Sequence, residues 1–315
     1  MKQNLKIVVA LGGNAISRQE ETGDIPDQIK NCHRTAEHLV DLVAAGHKVV
    51  VTHGNGPQVG NILRRMEAAR SSVYPLSLDI CGAHSQGGIG YLLQREISNV
   101  FKSRGMDKIS YTIITQCLVD AGDPAFENPT KPVGPFFTRD RIAPMIKSGW
   151  NAVEDAGRGW RRVVPSPMPM AIVEEGVIKQ AIEFGDVAIC CGGGGIPVVQ
   201  KNGVLEGVEG VIDKDHATSL LARNIDADLM IITTGIEKVA INFNTPNQKE
   251  LDRLTVAQAG KFLAEGHFPA GSMGPKIKAS IDFSKATGND VIITLPERIL
   301  AALEGKTGTR IVKNK

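Results

Sequence analysis

Leu5-Lys6-Ile7-Val8-Val9-Ala10-Leu11-Gly12-Gly13-Asn14-Ala15 runs from a short apolar stretch directly into paired glycines and an asparagine. A run of this length, rich in β-branched residues and broken by glycine, reads as a buried strand ending in a tight turn. The same grammar recurs at His53-Gly54-Asn55-Gly56-Pro57-Gln58 and at Gly192-Gly193-Gly194-Gly195-Ile196-Pro197. Each turn is expected to lead into a helix. In an open parallel sheet, ligands sit beyond the carboxyl ends of the strands, where such turns collect. Glycine there lets backbone N–H groups close around an anion at a helix N-terminus. One glycine turn says little, but three at strand ends imply a ligand-binding rim. Asn14 and Asn55 are suited to orient a small group by amide hydrogen bonds.

Outward from the first strand, apolar runs at 5–11, 48–52, 109–115, 187–191, 229–233 and 291–295 alternate with helical patterns at 28–45, 58–70, 83–104, 170–183, 215–223, 256–265 and 275–286. This alternation specifies βαβ units around a mainly parallel open sheet. Only 4% of the 315 residues are aromatic against 42% hydrophobic, so Val, Ile, Leu and Ala must fill the core, as a sheet buried on both faces requires. The segment 120–169, with Asp123-Pro124, Asn128-Pro129, Lys131-Pro132 and Gly134-Pro135, breaks the rhythm. It reads as an inserted lid or small subdomain, with Phe126, Phe136, Phe137, Trp150 and Trp160 as its local core.

Several functions are disfavoured. The net charge is +2 with both signs well mixed, which argues against nucleic acid, and Arg158, Arg161 and Arg162 read as solvated loop charges. No apolar run approaches the roughly 20 residues that span a bilayer. Cys32, Cys81, Cys117, Cys190 and Cys191 fit no zinc spacing and read as buried, reduced thiols, and no signal peptide is evident before the first strand, so a cytoplasmic location is expected. The P-loop signature is absent, and the Gly54, Gly56, Gly60 spacing is wrong for a dinucleotide fingerprint.

Phosphoryl transfer needs positioned positive charge more than a nucleophile. The candidates are Lys214, between Asp213 and Asp215, and Lys276, after Ser272-Met273-Gly274-Pro275, each at the expected start of a helix. The flanking aspartates are expected to fix Lys214 and to hold magnesium-bound water, against the commoner use of an aspartate as a helix cap. Lys131 could reach the cleft from the insertion, and His53 and His216 read as supporting residues. His33, His38, His47, His84 and His267 read as surface residues.

With these motifs in view, the chain resembles the carbamate kinases of the amino acid kinase fold family. The resemblance runs nearly full length and rests on the three segments around Gly12, Gly54 and Gln86, on Asn128-Pro129-Thr130-Lys131-Pro132, on Arg161 to Pro167, on Val211 to Asp215 and on Gly271 to Lys276. It implies one αβα three-layer sandwich over residues 1–315, with a protruding subdomain at 120–169, and a homodimer. It also implies reversible phosphoryl transfer between ADP/ATP and carbamate/carbamoyl phosphate, expected to run toward ATP, with Mg²⁺ carried on the nucleotide phosphates. By position, Lys214 and Lys276 would neutralise the phosphoryl group, with Asp215 orienting the lysines, and Lys131 would close over the carbamate side from the subdomain. Gly12, Gly13, Asn14, Gly54 and Asn55 would cradle the carbamate side. Asp213, Thr234, Gly235, Met273 and Gly274 would lie on the nucleotide side. Where the family commonly reads Thr-Asp-Val-Asp and Val-Tyr-x-Asn-Phe-Gly, this chain has Thr234-Gly235-Ile236-Glu237 and Val239-Ala240-Ile241-Asn242-Phe243-Asn244. The missing acid and ring bear on nucleotide affinity rather than on reaction type. The alternatives are a kinase of another small carboxylate or phosphonate, and a non-catalytic carbamoyl phosphate-binding relative.

Overall fold

The computed structural model describes residues 4–18, 21–155, 159–184, 187–269 and 271–313. Its centre is an eight-stranded sheet in the spatial order Arg253–Thr255, Thr309–Val312, Asp290–Thr294, Leu229–Thr233, Lys6–Leu11, Lys48–His53, Val187–Ile189, Ser110–Thr112. All neighbouring pairs are parallel except Asp290–Thr294 with Thr309–Val312. The period-2 alternation of strand side chains divides the core. Ile7, Val9, Leu11, Val49 and Val51 face the helices Ile25–Ala44 and Leu78–Ser103, while Val8, Ala10, Val50, Met230 and Ile232 face Lys214–Asn224 and Met273–Thr287. Both faces are thus covered by helices, giving the three αβα layers.

Local sequence fixes the helix ends. Asp24 caps Ile25–Ala44 by accepting from the Asp27 amide, and Pro26 occupies the first turn, where its missing N–H costs nothing. Cys32, Ala36, Leu39, Val40 and Val43 then form one buried stripe. Thr255 and Gln258 make a capping box on Val256–Ala264.

Some expectations fail in instructive ways. Residues 169–172 form a strand, Pro169–Ile172, and the helix there begins only at Glu175. The apolar run 109–115 keeps only Ser110–Thr112 as a strand, and a separate strand, Gln116–Val119, follows it. The third glycine turn leads into a strand, Ile196–Lys201, and not into a helix. Pro169–Ile172, Gln116–Val119 and Ile196–Lys201 belong to a second sheet, ordered Val204–Gly207, Ile196–Lys201, Gln116–Val119, Pro169–Ile172, whose alternation is too short to read from sequence. His47 is buried, and its Nδ1 accepts from the Leu5 amide. All five cysteines are free and buried.

Within 120–169, Lys131–Phe137, Gly159–Val164 and Ala152–Asp155 pair as an antiparallel sheet beside the helix Arg139–Lys147. Phe137 is buried and meets Trp150 edge to face at 6.1 Å. The expected aromatic core is only partial. Phe126 packs against the main core and Phe136 is exposed. Arg161 and Arg162 are not loop charges but half-buried residues of a strand: each guanidinium lies over a ring, Arg161 over Phe136 and Arg162 over Trp150, while Arg158 lies outside the described residues.

Candidate active site

The carboxyl ends of Lys6–Leu11 and Lys48–His53 are side by side, with the Gly54 amide donating to the Leu11 carbonyl at 3.0 Å. Beyond them lies a cavity of about 220 Å³, whose described lining includes Gly54, Asn55, Lys131, Asp213, Lys214, Asp215 and Lys276. The N-terminal turns of the helices Lys214–Asn224 and Met273–Thr287 both line it, so their positive dipole ends add to the ammonium groups.

Asp215 organises this centre. It is 2% exposed, and its two oxygens hold different lysines: Lys214 Nζ lies 2.5 Å from Oδ1 and Lys276 Nζ 3.0 Å from Oδ2. Burial pushes the Asp215 carboxyl up, but the two ammonium groups outweigh it and hold the pKa well below the carboxylate range. Burial lowers the Lys214 pKa, opposed by Asp215 and reinforced by Lys276. Two cations are thus fixed close together beside a glycine-lined space.

Asp213 does not fix Lys214. One of its oxygens caps the Lys214 helix by accepting from the Asp215 amide at 2.9 Å, and the other accepts from Lys131 Nζ at 2.7 Å. Burial raises the Asp213 carboxyl and Lys131 more than offsets it, so its pKa is lowered. The inserted segment is therefore tied to the helix that carries Lys214. Gly54 packs against the Lys214 stem, with space for a Cβ only 3.4 Å from Cδ.

Asn55 is buried and donates to Ser85 Oγ at 2.7 Å. Beneath it runs the Gly192–Gly195 turn. Gly193 has φ +65°, and a Cβ there would sit 2.1 Å from the Asn55 amide nitrogen. Gln86, fully buried, clamps the turn: its amide donates to the Thr115 and Gly192 carbonyls and its carbonyl accepts from the Thr115 amide. His53 packs against the turn with Nδ1 3.0 Å from the Gly54 carbonyl oxygen, and burial lowers its pKa to about 4.

The remaining candidates are less gathered. The Gly12 amide donates to Thr233 Oγ1, while Gly13 and Asn14 line a larger cavity of about 1130 Å³ between the inserted segment and the helix Gly56–Ala68. The Asn14 amide occupies the space that a side chain at Gly235 would take, which accounts locally for the small residue there. Thr234 follows the strand Leu229–Thr233, and its amide donates to the Thr294 carbonyl. Ala240 is buried in a hairpin strand. The Met273 side chain is part of the core, leaving its backbone, with Gly274, at the helix start. Sequence reasoning placed the Gly192–Gly195 turn on the rim and Ser272 beside Lys276 without naming Gly193 or Ser272 as site residues, and it overlooked Arg161 as a cavity-lining residue. Nothing in the pattern distinguished Arg161 from its neighbours.

Among the described residues, no cluster of three or more His, Cys, Asp or Glu side chains could hold a metal ion, and no helix is long and apolar enough to cross a membrane.

The amino acid kinase family model matches residues 6–294. A carbamate kinase of Pyrococcus horikoshii is 46% identical over 309 residues, covering 97% of this chain and 98% of that protein. The carbamate kinase-like protein YqeA of Escherichia coli is 48% identical over 312 residues, covering 97% and 98%. A solved carbamate kinase from Giardia lamblia, bound to AMP-PNP, superposes with a TM-score of 0.94 at 45% identity over 99% of both chains.

Proposed function

The chain belongs to the amino acid kinase family, alongside the carbamate kinases, and is a phosphotransferase; on that footing we propose that it transfers a phosphoryl group from carbamoyl phosphate to ADP, releasing carbamate and forming ATP. The observation that carries this reading is the sharing of Asp215 by Lys214 and Lys276. In-line transfer spreads charge over the equatorial phosphoryl oxygens, and two pre-positioned ammonium groups in a small, half-enclosed cavity oppose that charge without reorganising. Asp215 keeps them in register and never has to change protonation. Lys131 closes the cavity from the inserted segment, which acts as a lid. Gly54 and Asn55 hold the carbamoyl end, with Gly12, Gly13 and Asn14 supporting the same rim. The nucleotide approaches along Asp213, Thr234, Gly235, Met273 and Gly274.

The direction follows from chemistry. Carbamoyl phosphate is a mixed anhydride with a high transfer potential, whereas carbamate is a weak acceptor that decomposes. Asp213 and Asp215 are the carboxylates lining the cavity, and each is already paired with ammonium groups. That donor set fits a Mg²⁺ carried on nucleotide phosphates, where it would neutralise phosphate charge. We place the enzyme in the cytoplasm, as a homodimer.

The test is ATP formation from ADP, Mg²⁺ and carbamoyl phosphate, followed by a coupled assay. Robust ATP formation is expected. Its absence, together with turnover of another small carboxylate or phosphonate and ATP, would transfer the assignment to that acceptor. Calorimetric binding of carbamoyl phosphate with no binding of ADP or ATP would point to a non-catalytic relative.

A further inference from the structure

Two carboxylates on one short stretch of the body receive two cations from the inserted segment. Asp213 accepts from Lys131 Nζ at 2.7 Å, and Glu209, on the same stretch, accepts from Arg162 at 3.1 Å. The two cations stand on paired strands of the segment, where Lys131 lies opposite Val164 and Arg162 opposite Val133. Between the carboxylates, the Val211 amide donates to the Pro165 carbonyl at 2.9 Å. Lys214 and Asp215 follow at once in the chain. The inserted segment is therefore joined to both ends of the stretch that leads into the Lys214 helix.

Glu209 is itself anchored to the core. The helix Leu78–Ser103 begins after Ser77, whose side chain makes no cap, and Glu209 Oε1 accepts from the Leu78 amide at 2.8 Å while Oε2 takes Arg162. The positive end of the helix favours a carboxylate in that place. Arg162 is fixed as well, its guanidinium carbon 4.7 Å from the Trp150 ring centroid and its side chain 18% exposed. On one side the segment rests on apolar contact, with Val133 and Val164 packed among Val59, Leu63 and Leu78. On the other side a cavity of about 450 Å³ opens, its described lining including Phe126, Trp150, Arg162, Val208 and Glu209. Dispersion contacts are forfeited across such a gap, so there the polar link holds the segment.

We propose that Glu209 is a positioning residue for phosphoryl transfer: through Arg162 it seats the inserted segment so that Lys131 lies over the reaction cavity, and it thereby sets the affinity for the acyl-phosphate substrate. This rests on the carbamate kinase reading given above. Lys131 keeps its own bond to Asp213 when the Glu209–Arg162 link is cut, and Lys214 and Lys276 are untouched. The effect therefore falls on closure over the substrate rather than on the chemical step.

The experiment measures kcat and both KM values in Arg162→Met, Arg162→Lys, Glu209→Gln and the double variant Arg162→Met with Glu209→Gln. Lys201→Met, which breaks an exposed pair with Glu206 elsewhere, is the control. Loss of one partly exposed, charge-assisted bond predicts a rise of roughly 3- to 10-fold in KM for carbamoyl phosphate in Arg162→Met. Glu209→Gln should match it, since one amide oxygen cannot serve both donors. Arg162→Lys keeps the charge and should rise less, and the double variant should be no worse than either single one. KM for ADP and kcat should stay at wild type throughout. Should Arg162→Met fail to fold, Glu209→Gln decides the matter. Wild-type KM for carbamoyl phosphate in both single variants, an equal rise in KM for ADP, or additive effects in the double variant overturns the proposal. A wild type that forms no ATP refutes the kinase reading instead. Hydrogen exchange at the Val211 amide then tests the seating without substrate. Faster exchange in Arg162→Met and Glu209→Gln than in Lys201→Met supports the inference, and equal exchange ends it.

Discussion

Lys214 and Lys276 reach opposite oxygens of one buried carboxylate, at 2.5 Å and 3.0 Å, from the first turns of two different helices. The separation of the two ammonium groups is thus set by the width of the Asp215 carboxylate rather than by flexible stems. Removing either lysine, or replacing Asp215→Asn, should cut kcat by roughly 10²–10³-fold, the usual cost of losing one preorganised charge-stabilising group. Circular dichroism should show the fold retained in Lys214→Ala and Lys276→Ala. Turnover near wild type in either lysine variant would leave the phosphoryl-transfer centre without its main support.

The bond from Lys131 to Asp213 gives a second, separable prediction. Asp213 both caps a helix and holds the inserted segment. Asp213→Asn keeps a capping oxygen and loses the charge, whereas Asp213→Ala loses both. Unfolding by urea should show Asp213→Ala less stable by about 1 kcal/mol and Asp213→Asn close to wild type, since a partly exposed ion pair contributes little. Activity should behave differently, falling roughly 10-fold or more in both variants because Lys131 is released from its position. Equal stability of the two variants would show that the cap contributes nothing.

Much of this was legible in the sequence, and the reasons are physical. Strands such as Leu229–Thr233, buried on both faces, are continuous apolar runs bounded by turn residues, so the large sheet announces itself. Lys214 and Lys276 were visible because each sits beside small or acidic residues at a helix start. The second sheet was not legible. Its strands are short, and the pairing of Ile196–Lys201 with Gln116–Val119 joins segments remote in the chain. The partner of Asp213 was misassigned for the same reason, because sequence adjacency favoured Lys214 while the fold delivers Lys131. Arg161 looks like any charge in a polar stretch until Gly134 and Phe136 are seen around it.

The buried His53 makes stability depend on pH. Burial holds its folded-state pKa at about 4, against 6.5 for the unperturbed group. The unfolded chain therefore takes up the proton first as pH falls. This contribution is complete above pH 6.5 and is lost progressively down to pH about 4. The shift corresponds to about 3 kcal/mol. Denaturant titrations at stepped pH should show that decline, and His53→Asn should flatten it over this window. A wild-type profile with no slope between pH 6.5 and 4 would contradict a neutral, buried imidazole.

The Gly192–Gly195 turn separates backbone strain from steric exclusion. Gly193 and Gly203 both have positive φ, +65° and +84°, but a Cβ at Gly203 meets open space whereas one at Gly193 would fall 2.1 Å from the Asn55 amide nitrogen. Alanine at 203 should therefore cost only the conformational penalty, about 1–2 kcal/mol, with kinetics unchanged. Alanine at 193 carries the same penalty and must also displace Asn55, which is held by Ser85 at 2.7 Å and lines the same cavity as Lys214 and Lys276. It should be the less stable variant and should lose activity. Thermal melting and ATP-formation kinetics on the pair check both parts. If Gly193→Ala matches Gly203→Ala in both measurements, Asn55 is free to move without consequence and its place in the cavity has no catalytic meaning.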